Sequence, residues 1–192
     1  MLEIELKAAL NGVDAAALAG RLAALGFSLS YECREEDTYY NGVDRDFRGT
    51  DEALRVREHE QDGRADARLT YKGPKTDARS QTRAELETGV ESADTLRAIL
   101  DALGYLRVLT VQKARRGYVG SGAYAGVNLC LDEVEGLGAF IELEYPSPDD
   151  SSETERESRV LLLLSLLSLL GVPGQNLTRR SYLELLIARA TS

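Results

Sequence analysis

Residues that build zinc centres and histidine-dependent active sites are scarce in this sequence. Its 192 residues include two cysteines, Cys33 and Cys130, and a single histidine, His59. A structural zinc site usually takes four Cys or His ligands, and a catalytic one takes three. Such a site is therefore hard to build from this chain. A catalytic triad is equally disfavoured unless His59 alone supplies its base.

Positive charge is also in short supply. The chain has 23 Lys and Arg residues against 32 Asp and Glu residues, which gives a formal net charge of −9. General binding to a nucleic-acid backbone depends on a surplus of cationic side chains. We therefore expect no nucleic-acid partner.

Long hydrophobic segments are missing as well. The most apolar run, Val160 to Leu170, is 11 residues long, whereas a bilayer span needs about 20. The first residues lack the basic region and apolar stretch of a signal peptide. We expect a cytoplasmic protein with no membrane partner and with reduced cysteines. The leucine-rich run is interpreted as a buried core helix, although a homodimer interface would suit it too.

The remaining composition is that of a globular protein, with 43% hydrophobic and 29% charged residues. The length suits a single domain over residues 1–192. Hydrophobic periodicity and turn signals predict about eight strands and four helices, and Asp14 is a plausible N-cap of the first helix. The predicted strands cover 3–9, 31–40, 53–60, 67–72, 82–88, 106–119, 127–134 and 140–145, and the predicted helices cover 11–25, 92–103, 153–170 and 178–190.

Charge is sorted onto one face of nearly every predicted strand. Alternate strand residues point to opposite sides, so Glu3 and Glu5 share a face, as do Arg55 and Arg57. Same-sign neighbours of this kind lie about 6–7 Å apart and repel each other. For a single strand, a solvent-exposed face on an open sheet is the simpler interpretation. Repeated over many strands, the pattern favours closure around a charged ligand.

The fold class expected from this pattern is α+β, with an eight-stranded antiparallel β-barrel and helices packed outside. The polar rows would line a lumen and the apolar rows would face the helices. Such a lumen suits a polyanion held by Arg and Lys side chains, with divalent cations bridging it to the Glu side.

Several short motifs agree in order with those of a known family. The chain resembles the CYTH superfamily, the triphosphate tunnel metalloenzymes, which include class IV adenylyl cyclases, thiamine triphosphatases and inorganic triphosphatases. Asp37-Thr38-Tyr39-Tyr40 and the segment 136–144 look most like the cyclase branch. The motifs that carry the resemblance are Glu3-Ile4-Glu5-Leu6-Lys7, Leu54-Arg55-Val56-Arg57, Thr70-Tyr71-Lys72-Gly73-Pro74, Arg83-Ala84-Glu85-Leu86-Glu87, Lys113-Ala114-Arg115, Leu131-Asp132-Glu133-Val134, Gly136-Leu137-Gly138-Ala139-Phe140-Ile141-Glu142-Leu143-Glu144 and Ser181-Tyr182.

The resemblance implies a tunnel fold, a triphosphate substrate and Mg²⁺ or Mn²⁺ as cofactor. It implies metal binding by Glu3, Glu5, Glu142 and Glu144, and a second metal site or a supporting role for Glu85, Glu87 and Asp132. The implied phosphate-binding residues are Arg55, Arg57, Lys72, Arg83, Lys113 and Arg115. Lys7 is the implied catalytic residue, and Arg179, Arg180 and Tyr182 could close one tunnel mouth. We expect His59 at the surface or a tunnel mouth, and Cys130 as a space-filling residue.

Three functions remain open at this point. The first is a class IV-type adenylyl cyclase, a lyase that converts ATP into cyclic AMP and pyrophosphate. The second is a hydrolase of inorganic tripolyphosphate, thiamine triphosphate or a nucleoside triphosphate in the same tunnel, with water as the nucleophile. The third is a non-catalytic module that binds polyphosphate or nucleotide, which would not need several converging Glu residues. No sequence motif indicates which base, if any, the site accepts.

Overall fold

The computed structural model describes residues 2–148 and 151–191, with side chains described from residue 4 onward. Over these residues it contains an antiparallel sheet of nine strands and four α-helices, so the predicted α+β class is confirmed. The elements in chain order are β1 (Leu2–Ala9), α1 (Ala15–Ala24), β2 (Phe27–Asn41), β3 (Ala53–Gln61), β4 (Arg64–Lys72), β5 (Arg83–Val90), α2 (Ala93–Ala102), β6 (Leu106–Gly120), β7 (Asn128–Val134), β8 (Gly138–Ser147), α3 (Glu153–Leu169), β9 (Leu177–Thr178) and α4 (Tyr182–Ala190).

The sheet curls so that its two ends meet. The strand order is β5-β4-β3-β2-β6-β7-β8-β1-β9, and β5 also pairs with β1. From residue 2 onward, that closing seam pairs Leu2 with Ala84 and Glu3 with Arg83. Farther along β1, the Gln81 N–H donates to the Glu5 carbonyl oxygen at 2.9 Å. The expected eight-stranded barrel is thus a loose description, because its wall is a discontinuous ladder at this seam.

The ninth strand and the start of the last helix differ from the predicted pattern. Residues 177–178 pair with β1 opposite Lys7 and Ala8, so the helix expected from residue 178 begins only at Tyr182. The Ser181 side chain accepts a hydrogen bond from the Glu184 N–H, and the Glu184 carboxylate accepts one from the Ser181 N–H. This reciprocal capping box fixes the helix start, leaving Arg179 and Arg180 outside the helix.

A tight turn sets the register of the β3–β4 hairpin. Asp62 and Gly63 have φ values of 52° and 73°, the left-handed conformation that a type I′ turn requires at both central positions. The turn pairs Gln61 with Arg64. It thereby fixes the side of the sheet to which each alternate β3 residue points.

The helices cover the apolar side of the sheet. Helix α3 packs against β1 and β8, α1 against β2, α2 against β3 and α4 against β6. Asp14 caps α1 as predicted, by accepting bonds from two backbone N–H groups. Val160, Leu163, Leu166, Leu167 and Leu170 are buried in the main core, which confirms that the leucine-rich run is a core helix.

A homodimer through α3 stays a prediction, since Leu161 and Leu169 are exposed on that helix. Among the helices of residues 2–148 and 151–191, none is long and apolar enough to cross a bilayer.

Candidate active site

The charged side of the sheet encloses a cavity of about 470 Å³, a volume ordinary for a small-molecule site. Most of the site residues expected from the sequence line it. They are Glu5, Lys7, Arg55, Arg57, Lys72, Arg83, Glu85, Glu87, Lys113, Arg115, Glu142, Glu144 and Tyr182. The Glu3 side chain lies outside the described residues; its backbone pairs with Arg83 and Pro146 in β1. The charged strand faces therefore line a common, partly enclosed lumen, although the sheet around it is not fully closed.

One wall of the cavity, formed by β1 and β8, is rich in carboxylates. The register places Glu5 opposite Glu144 and Lys7 opposite Glu142. The Lys7 Nζ lies 3.3 Å from Glu5 Oε1 and 3.0 Å from Glu142 Oε1. Burial by itself would lower the pKa of Lys7, but the neighbouring Glu142 and Glu5 carboxylates outweigh it and raise that pKa. Lys7 is therefore a fixed cation at neutral pH.

Glu142 and Glu144 differ sharply in their surroundings. Burial would raise the pKa of Glu142, but the charges of Lys7 and Arg115 hold it well below its usual value. Glu144 has no hydrogen-bond or ion-pair partner among the described side chains. Burial and the nearby Glu142 and Glu5 carboxylates raise the pKa of Glu144 to about 7, despite the opposing effect of Arg115. This carboxylate is accordingly the one on the wall that most lacks a counter-charge.

The opposite wall carries the cations of β3 and β6, with acids of β2 between them. Asp37 accepts two hydrogen bonds from Arg57, at 2.6 and 2.7 Å. Glu35 lies 3.0 Å from both Arg57 and Lys113. Burial opposes ionisation of Asp37, yet Arg57 and Arg55 lower its pKa to about 2. These paired acids hold the cationic side chains in position.

Glu35 and Asp37 were not among the site residues predicted from the sequence. The signal was present, because Cys33, Glu35, Asp37 and Tyr39 alternate along β2 and share the inward face. The buried loop residue Gln81 was also missed; its side chain donates to Glu5 Oε1 at 2.7 Å. No strand period covers that loop, so only the folded structure shows the contact.

Asp132 belongs to the cationic wall. Its carboxylate accepts bonds from Arg115 at 2.7 and 2.6 Å. It also accepts bonds from Lys113 at 3.3 Å and from the Tyr182 hydroxyl at 2.9 Å. Arg115 additionally contacts Glu142 of β8, the strand on the other side of β7. The structure therefore places Asp132 among cations that it orients, and away from the unpaired Glu144.

Two guanidinium groups retain free donors. Arg55 donates to Thr70 at 3.1 Å, but its buried Nε has no hydrogen-bond partner. Arg83 is 6% exposed, and within the described side chains it forms neither a hydrogen bond nor an ion pair. Beside them, Lys72 Nζ lies 2.8 Å from Glu85, and Glu87 accepts from Thr70 and Arg68 at 2.8 and 2.9 Å. Burying a cation without an acceptor costs folding free energy, so Arg83 is suited to binding an anionic ligand.

Helix α4 closes part of one end of the cavity through Tyr182. The Lys7 and Lys113 ammonium groups lie 4.2 and 5.3 Å from the centre of its ring, and Phe140 packs edge-on at 5.1 Å. Arg179 donates to the carbonyl oxygens of Ser80 and Asp77, and Arg180 donates to that of Glu184. Both arginines are exposed and do not line the cavity. Of the three expected mouth residues, only Tyr182 lies there.

On β2 and β3, Cys33, Glu35 and His59 place potential metal-ligand atoms within 4.8 Å of one another. Glu35 already lies 3.0 Å from Lys113 and from Arg57. These two positive charges oppose a cation at this point. The cluster is therefore a poor metal site.

Comparison with known proteins decides the family. The model of the CYTH domain family matches residues 1–182. The chain belongs to the CYTH family.

Two curated relatives of this CYTH protein carry adenylate cyclase names. A protein of Methanocaldococcus jannaschii, named provisionally as an adenylate cyclase, is 38% identical over 96% of this chain and 98% of its own length. The adenylate cyclase CyaB of Aeromonas hydrophila is 30% identical over 94% of this chain and 86% of its own length. The predicted family membership is thereby confirmed.

Two solved structures show the extent of the similarity in fold. A Pyrococcus horikoshii protein matches with a TM-score of 0.85 and 39% identity, covering 97% of this chain and 99% of its own. A Hippeastrum protein, described as having a dominant triphosphatase activity, matches with a TM-score of 0.59 and 19% identity, covering 100% of this chain and 96% of its own. The second likeness concerns the fold alone.

Proposed function

We propose that this CYTH protein is a divalent-metal-dependent enzyme that converts ATP into cyclic AMP and pyrophosphate. The observation that carries the proposal is that the lumen holds one carboxylate and one guanidinium group that form no hydrogen bond or ion pair with any described side chain. Glu144 calls for a cation and Arg83 for an anion. A metal–triphosphate complex supplies both charges at once. The adenylate cyclase names of two relatives support ATP as the substrate.

The carboxylate wall fits Mg²⁺ or Mn²⁺. These ions prefer hard oxygen ligands and keep some of their waters, and Glu144 is a half-buried carboxylate that forms no ion pair with a described side chain. We propose that Glu3, Glu5, Glu142 and Glu144 hold the metal. When bound, the ion would neutralise phosphate charge and lower the pKa of the attacking hydroxyl. Glu85 and Glu87 already contact cations, which favours a supporting role for them.

The Arg and Lys side chains that line the lumen would hold the triphosphate. Arg83 and the free Nε of Arg55 can bind phosphate oxygens without first giving up a partner. Arg57 and Arg115 each donate two hydrogen bonds to an acid, Asp37 or Asp132, so their remaining donors are fixed in direction. Charge-assisted bonds of this kind are strong, and Arg can form them bidentately. Lys72 and Lys113 add point charges to the same site.

In the proposed reaction the ribose 3′-oxygen attacks the α-phosphorus. The new bond joins that oxygen to phosphorus, the hydroxyl proton passes to water, the bond from phosphorus to the bridging oxygen breaks, and pyrophosphate leaves. The chain contributes positioning and fixed charge. Because its pKa is raised, Lys7 keeps its proton and donates it in hydrogen bonds. It would stabilise developing charge on a phosphate oxygen and would not act as the base.

We propose that the whole chain, residues 1–192, forms one domain. The lumen walls come from strands that begin at residue 2 and end at residue 147, and α4 adds Tyr182. Removal of any of these segments would open the lumen, so we expect no smaller active fragment.

One assay tests the proposal. The protein is incubated with Mg²⁺ or Mn²⁺ and ATP, tripolyphosphate or thiamine triphosphate, and the products are separated by chromatography. We expect cyclic AMP and pyrophosphate from ATP, lost in Glu5→Gln and after chelation of the metal. The matched control is Glu133→Gln, an exposed residue of β7. Orthophosphate release would favour a triphosphatase, and metal-independent binding without turnover would favour a non-catalytic module.

A further inference from the structure

An aromatic ring lies at the end of the cavity remote from α4. Tyr31 of β2 lines the cavity and is half-buried. Its ring lies directly on the backbone of Gly117 in β6: a Cβ at position 117 would fall 2.1 Å from Tyr31 Cε1. Only glycine leaves room for the ring there. The Tyr31 hydroxyl and the Cys130 thiol, 3.7 Å apart, form a hydrogen bond that anchors the ring edge.

Polar, planar side chains surround this ring. The centre of the His59 ring lies 6.3 Å from that of Tyr31, with the two planes inclined by 56°. The His59 Nε2 and Gln61 Oε1 atoms are 3.4 Å apart, and both side chains line the cavity. A π-face with hydrogen-bonding groups at its margin is the combination that holds a flat heterocycle.

The register fixes the distance between this ring and the phosphate-binding cations. Tyr31 pairs with Gly117, Cys33 with Arg115 and Glu35 with Lys113. The ring therefore lies one inward-facing position, about 6–7 Å along the strand, beyond Arg115, and about 13 Å beyond Lys113. A ribose can bridge the shorter distance. At the far end, Tyr182 closes the lumen beside Lys113.

We propose that the Tyr31 ring is the stacking platform for the nucleobase of a nucleoside triphosphate, with His59 and Gln61 at the base edge. This inference rests on the proposed function and adds a direction to it. The base lies at the Tyr31 end, and the phosphate chain runs along the cations toward α4. The ring recognises a planar base and makes no contact with the phosphates.

The test compares two ligands in the same lumen. Dissociation constants for ATP and for tripolyphosphate, each with Mg²⁺, are measured by calorimetry for wild type, Tyr31→Leu and Tyr31→Phe. ATP is supplied as its 3′-deoxy form, which lacks the attacking hydroxyl, so that no cyclisation occurs during the measurement. Loss of an aromatic–base stack weakens binding by roughly tenfold or more. We expect that loss for ATP in Tyr31→Leu, most of the wild-type ATP affinity in Tyr31→Phe, and tripolyphosphate affinity within about twofold of wild type in both variants. Retained tripolyphosphate binding also shows that the variants fold.

Three results would overturn the platform. They are ATP binding unaffected by Tyr31→Leu, an equal loss of ATP and tripolyphosphate binding, and an equal loss of ATP binding in Tyr31→Phe and Tyr31→Leu. A wild-type protein that binds tripolyphosphate but not ATP would also overturn it while leaving a triphosphate tunnel in place. A wild-type protein that binds neither ligand would refute the proposed function itself.

Gly117→Ala provides an independent check. The added methyl group must displace the Tyr31 ring, so it should lower ATP affinity by a similar factor and spare tripolyphosphate. Unchanged ATP binding in this variant would contradict the platform.

Discussion

Glu144→Gln should stabilise the ligand-free protein at alkaline pH, because it removes a half-buried carboxylate that has no hydrogen-bond or ion-pair partner among the described side chains. The pKa of Glu144 is raised from 4.5 to about 7. The folded state therefore binds a proton more tightly than the unfolded chain, and this residue costs stability progressively as the pH rises from about 4.5 to 7. That interval corresponds to roughly 3 kcal/mol at pH 8. Partial solvent access reduces the expected gain to about 2–3 kcal/mol.

The measurement is thermal unfolding in the presence of a chelator at pH 5 and pH 8. For a chain of this size, about 2–3 kcal/mol corresponds to a Tm increase of roughly 5–10 °C. We expect this increase at pH 8 and little change at pH 5, where the protonated carboxyl resembles the amide in shape and charge. Glu133→Gln, with the same charge change on the exposed side of β7, should show neither effect. A loss of stability at pH 8, or equal gains at both pH values, would refute the electrostatic reasoning.

Four further outcomes are expected. Arg83→Ala should weaken tripolyphosphate binding in calorimetry by roughly 10- to 100-fold. The Tm should not change, because the substitution leaves no described side chain without its hydrogen-bond or ion-pair partner. A large fall in Tm would show a structural role. Arg57→Ala should instead destabilise the protein by about 3 kcal/mol in urea unfolding, since it leaves Asp37 and Glu35 buried without that partner; unchanged stability would contradict the pairing. Acid should remove the stability that the Asp37–Arg57 pair contributes to the folded state. Because the pKa of Asp37 is lowered to about 2, this stability is present above about pH 4 and disappears as the pH falls through 2. The same loss should be absent when the stability of Asp37→Asn is measured against pH. Tyr182→Phe, which removes the hydroxyl from Asp132, should cost about 1–2 kcal/mol and retain the ring over Lys7; a stability equal to wild type would mean that the hydrogen bond is dispensable.

The sequence could predict the two faces of each strand because side-chain direction alternates strictly along a strand. Glu5 and Lys7 in β1, or Arg55 and Arg57 in β3, point inward whatever their neighbours are. Helix ends followed similarly from local chemistry, as at Asp14. The ordered motifs also sufficed to indicate the family. All of these features depend on residues a few positions apart.

Long-range pairing was beyond such reasoning. The same-sign neighbours Arg55 and Arg57 suggested net repulsion along the strand, yet Asp37 of β2, 20 residues away from Arg57, neutralises much of it. Arg115 meets Asp132 because β7 lies next to β6, and it meets Glu142 because β8 lies next to β7. The alternation of side chains along each strand determines which residues face inward. The order and register of the strands decide which of them meet.

What the sequence by itself determined is therefore the inventory of the site: an inward set of acids and cations, an outward apolar set and the helices that cover it. The tertiary structure alone decided which charges neutralise each other and which remain available, as Glu144 and Arg83 do. It also placed Tyr31 on Gly117 and Tyr182 over Lys7. The physical reason is that charge interactions depend on distance through space and on burial. Closure of the sheet sets both of these between residues far apart in the chain.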